Sequence, residues 1–63
     1  MKLVEFTAPD GATDMVNVDQ VVDVKHPDPG VYEAHVRGVI FLTNGFRAVR
    51  ETPAEIFKKL GEA

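Results

Sequence analysis

The stretch that most constrains the fold is residues 36–51, V-R-G-V-I-F-L-T-N-G-F-R-A-V-R-E. Two apolar runs meet at Asn44-Gly45, the strongest short-range hairpin signal, because a type I′ turn needs φ > 0 at both central positions. With that pair as the loop, Thr43 is expected opposite Phe46, Leu42 opposite Arg47, Phe41 opposite Ala48 and Ile40 opposite Val49. One face then carries Ile40, Leu42 and Val49. The other carries Val39, Phe41, Phe46 and Ala48, with Arg37 and Arg50 toward its far end. Both faces are apolar near the turn, so each needs a cover.

The chain has little with which to supply one. Its 63 residues predict a single domain. A chain this short buries only about 60% of the surface its unfolded form exposes. There is no cysteine, so disulfides and thiolate metal sites are excluded and self-association becomes the natural remedy. A hydrophobic content of 44% with 27% charged residues is that of a globular domain. The net charge of −3 argues against a dedicated nucleic-acid binder, whose affinity rests on neutralising phosphates. No apolar run approaches the roughly 20 residues that span a bilayer, so membrane insertion is not expected. The opening M-K-L-V-E-F turns acidic too early for a secretory segment, and a cytoplasmic protein is expected.

Upstream, residues 2–7 alternate as a strand with Val4 and Phe6 on one face and Leu3, Glu5 and Thr7 on the other. Ala8-Pro9-Asp10-Gly11 has turn chemistry, and residues 15–18 resume in extended form, completing a first hairpin over residues 2–18. Asn17 and Asp19 suggest a tight corner. Residues 21–26, V-V-D-V-K-H, form a β-branched third strand with Val22, Val24 and His26 on one face and Val21, Asp23 and Lys25 on the other. Pro27-Asp28-Pro29-Gly30 ends it, and residues 31–35 are either a loop or the start of the next strand.

At the other end, Thr52-Pro53-Ala54-Glu55 is a capping box with proline at the first helical position. Ile56, Phe57 and Leu60 form an apolar stripe expected in the core, and Gly61 a stop. The expected fold is therefore α+β, mainly β: an antiparallel β-meander of about five strands with one short C-terminal helix. One helix cannot cover two apolar faces. Either the sheet curls into a small barrel or a second subunit packs against it.

Chemistry-bearing constellations are sparse. There is no serine, and Thr43 and Thr52 have turn and cap roles, so no catalytic residue is assigned and no cofactor is expected. His26 and His35 flank the Pro-Asp-Pro-Gly loop near Asp23 and Asp28, but their spacing matches no metal-ligand pattern. We read them as partly exposed loop-flanking side chains and assign no metal. Arg37 and Arg50 are candidates for gripping an anion or an acidic partner, or for surface pairing with Glu33 or Glu51. Phe41 and Phe46, with Val39 and Ala48, are the candidate interface, since aromatics anchor such patches. The expectation is a non-enzymatic interaction or accessory module, a homo-oligomer with an unidentified protein partner. The alternative is a small nucleic-acid-binding regulator with a barrel-like sheet.

The pattern V-N at residues 16–17, a valine-rich strand, I-F-L-T-N-G, an A-V strand and R-E-T-P-A-E-I leading into a helix resembles the short flagellar proteins of the FlbD type. It covers roughly residues 16–60, with a longer segment at 26–35 than the tight turn usual there. The resemblance implies a small bacterial protein without catalytic activity that serves flagellar operation through a partner.

Overall fold

In the computed structural model, residues 2–28, 30–32 and 34–62 are described; Met1, Pro29, Glu33 and Ala63 lie outside that set. Five strands and one helix follow in order: β1 (Leu3–Thr7), β2 (Thr13–Asn17), β3 (Val21–Lys25), β4 (Gly38–Leu42), β5 (Gly45–Val49) and α1 (Pro53–Glu62), with a 3₁₀ turn at Val18–Gln20 between β2 and β3. The strands make two antiparallel sheets, β1-β2 and β3-β4-β5, and do not close into a barrel. Five antiparallel strands and one C-terminal helix are what the patterning predicts, but the expected meander is split into two sheets because β2 and β3 do not pair.

The first hairpin turns as its residues dictate. Gly11 takes φ +93°, its N–H donates to the Ala8 carbonyl, and the Asp10 carboxylate accepts the Ala12 N–H at 2.9 Å. At the corner after β2, the Asn17 side chain accepts the Asp19 N–H at 3.0 Å and so caps the 3₁₀ turn.

β3 departs from simple alternation. Val21 pairs with Leu42, but the next partners are Asp23 with Phe41, then Val24 with Ile40 and Lys25 with Val39. Val22 is the extra residue of a bulge and is exposed. An extra residue inverts the parity of everything before it. Val21 and Val24 thus share the core face, where strict alternation places Val21 opposite Val24.

The β4–β5 hairpin also differs from expectation. Leu42 pairs with Gly45, Phe41 with Phe46, Ile40 with Arg47, Val39 with Ala48 and Gly38 with Val49. The loop is Thr43-Asn44, and among the described residues no non-glycine has positive φ, while Gly45 takes +154°. Gly45 absorbs the unusual backbone angle at the strand start, which spares Asn44 the strain of a type I′ centre. The register moves by two residues, so every side chain keeps its expected face.

Phe6, Val16, Ile40, Val49 and Ile56 form the core, with Val4, Val21, Val24, Leu42 and Leu60 packed against it. Each of the five fully buried side chains of this cluster contributes about 1.5–3 kcal/mol. The Thr52 hydroxyl accepts the Glu55 N–H and the Glu55 carboxylate accepts the Thr52 N–H, both at 3.3 Å, so α1 starts as a capping box. Gly61 lies within the helix. Pro53 and Ile56 are buried, but Phe57 is 59% exposed, which corrects its placement in the core. At about 100° per residue, Ile56 and Leu60 point at the sheet while Phe57 falls on the flank.

The opposite face of the three-stranded sheet is covered in part by the chain between β3 and β4. Val36 is buried and the Tyr32 ring meets Phe46 edge-on, with centroids 6.3 Å apart. Neither a barrel nor a second subunit is needed to bury Val39.

Gly38 allows the helix entry to seat. A Cβ there would lie 2.5 Å from the Glu51 carbonyl oxygen and 2.7 Å from Ile56 Cδ1. Gly38→Ala should therefore cost about 1–3 kcal/mol through overpacking, read as a lower urea midpoint with the slope unchanged; an unaltered midpoint would show that the contact yields freely.

Candidate functional site

The outer face of β4 and β5 presents an aromatic cluster. Phe41 and Phe46 face each other across the ladder with centroids 6.2 Å apart, and Lys25 Nζ lies 5.8 Å from the Phe41 centroid. The sequence-derived interface residues separate here. Val39 is only 1% exposed and lies inside the chain, Phe41 and Ala48 are half-buried, and Phe46 is 50% exposed.

Beside Phe46 opens an apolar groove of about 450 Å³. Phe46 and Ala48 of β5 form its floor, and Val31, Tyr32 and Val36 form one wall. Ala8, Pro9 and Asp10, from the β1–β2 turn, form the other. The groove exists because the β1–β2 turn is held against the end of β5. The Arg50 N–H donates to the Thr7 carbonyl at 2.9 Å, and the Arg50 guanidinium donates to the Pro9 carbonyl through Nε at 3.0 Å and Nη2 at 2.6 Å. Arg50, a candidate anion contact from the sequence, thus positions one groove wall. Arg37 is exposed and its N–H continues the ladder to the Val49 carbonyl. The pairing weighed with Glu33 falls outside the described residues.

Glu51, weighed from the sequence only as a surface partner of Arg37 or Arg50, is instead buried, pairs with Lys59 and anchors the same joint. It is 8% exposed, the one buried charged residue among those described. Its carboxylate accepts the Thr7 N–H at 3.0 and 3.1 Å and the Thr7 hydroxyl at 3.0 Å, and lies 3.4 Å from Lys59 Nζ. Lys59 also donates to the Glu5 carbonyl at 2.7 Å and sits over the Phe6 ring. Burial pushes the Glu51 pKa up, but the hydrogen bonds from the Thr7 N–H, its own backbone N–H and the Thr7 hydroxyl, with the Lys59 charge, outweigh it and hold the carboxyl below the ordinary 4.5.

His26 and His35 are both exposed, and among the described residues no group of three or more His, Cys, Asp or Glu is placed to hold a metal ion. Nor is any described helix long and apolar enough to cross a membrane. Compared with protein-family models, curated proteins and solved structures, the chain matches none.

Because the folded-state pKa of Glu51 is depressed, its contribution to stability is complete above 4.5 and disappears as pH falls through the lowered value. Glu51→Gln should lose about 1–3 kcal/mol near neutral pH and flatten the acid limb of a stability–pH profile measured by urea denaturation. An acid limb as steep as that of the parent would remove Glu51 from this role.

Proposed function

We propose that the chain is a non-enzymatic protein-interaction module that self-associates through the outer face of its three-stranded sheet. The observation that carries this reading is Phe46, an aromatic half in solvent on the floor of an apolar groove. A large apolar side chain beside a concave apolar surface is the usual anchor of a protein contact. In a chain this small, covering that surface adds to a core that is marginal by size alone.

Charge favours a protein partner over nucleic acid. Asp10 lines the groove and Asp23 shares the sheet face with Phe41, so carboxylates flank the aromatic cluster where a phosphate backbone would run. Lys25, which lies over the Phe41 ring, is 3.7 Å from Asp23. The resemblance to FlbD-type proteins adds the biological setting: an accessory role in flagellar operation, exercised through contact with another protein.

The solution mass should exceed the 6.9 kDa of one chain and rise with concentration through the micromolar range. Phe46→Glu should return it to a monomer in sedimentation equilibrium, with the circular dichroism unchanged. A parent protein that stays monomeric, or a variant of unaltered mass, would overturn the assignment.

A further inference from the structure

Two exposed aromatics lie on different parts of the molecule. Phe46 is on the outer sheet face, and Phe57 is on α1, which packs against the core face through Ile56 and Leu60. A symmetric contact across the groove would bury two copies of Phe46 and leave both copies of Phe57 in water. A head-to-tail contact buries one of each at a single interface.

We infer that the occupant of the groove is the exposed flank of α1 from a second copy of this chain. This rests on the self-association proposed above and specifies its geometry. Ala54, Phe57, Lys58 and Gly61 recur at the spacing of one helix face, and all four are exposed. The strip offers a single projecting ring between small residues, which let a helix lie close to a shallow groove. Phe57 enters beside Phe46 and Tyr32, where ring edges and faces can meet.

Charge fixes the direction. Asp10 on the groove wall and Lys58 beside Phe57 are both exposed, and neither has an ion-pair partner among the described residues. Placing Phe57 in the groove brings Lys58 toward Asp10 of the neighbouring chain, a rim pair that steers orientation more than it adds affinity. Because donor and acceptor surfaces differ, each added chain leaves one of each free, and assembly continues into short filaments or a ring.

The test is complementation between two variants, read as mass by light scattering or sedimentation. Phe46→Glu spoils the groove and keeps the helix flank; Phe57→Glu does the reverse. Each alone should be monomeric. Mixed one to one, they should form a heterodimer and stop there, because the only free surfaces left are the two spoiled ones; this also shows that both variants are folded. Lys58→Glu should weaken parent assembly several-fold, and adding Asp10→Lys in the same chain should restore it. If Phe57→Glu assembles like the parent while Phe46→Glu does not, the head-to-tail contact is wrong and self-association through the sheet face stands. If the mixture stays monomeric, the head-to-tail contact is likewise overturned. If the parent is itself monomeric, both readings fall.

Discussion

The arrangement depends on one buried carboxylate. Glu51 accepts three hydrogen bonds from Thr7 at the end of β1 and pairs with Lys59 on α1. Its own carbonyl lies where only a glycine, Gly38 of β4, can pass. Both sheets and the helix therefore converge on one residue. A buried charge is costly unless its lone pairs are filled, and these are: among the described residues no buried side-chain polar atom lacks a partner.

The surface chemistry follows from that joint. Thr7 leads directly into Ala8, Pro9 and Asp10, so fixing Thr7 against Glu51 and Pro9 against Arg50 sets the β1–β2 turn beside β5. The groove is the space left between that turn, the β5 floor and the chain crossing from β3 to β4. Its shape is a consequence of how the two sheets are joined, and residues far from Phe46 in sequence decide how open it is.

The small size of the chain explains why apolar surface remains. The helix packs on the core face, and Val36 and Val39 are buried as well. Among the described residues, Phe46 and Phe57 remain half exposed or more. Surface-to-volume scaling makes such remainders common in domains of this length, and a protein contact is the physical means of covering them.

What the sequence determined by itself was local. The Pro9-Asp10-Gly11 turn, the Asn17 corner, the Thr52–Glu55 box and the two-faced β4–β5 hairpin were all legible, because each rests on contacts between near neighbours or on side-chain parity. Parity is robust enough that the faces of β4 and β5 survived an expected register two residues off. Where reading assumed an unbroken period it failed: the bulge at Val22 exchanged the neighbours of Val24, and the rotation of α1 carried Phe57 outward. Of the candidate interface, Phe46 stayed at the surface while Val39 is buried within the fold. The roles of Glu51 and Gly38 were decided by tertiary structure alone. The partner of Glu51 lies 44 positions away along the chain, and nothing in R-E-T-P or R-G-V announces a buried carboxylate or a helix seated on a glycine; such contacts exist only once the sheets and the helix have met.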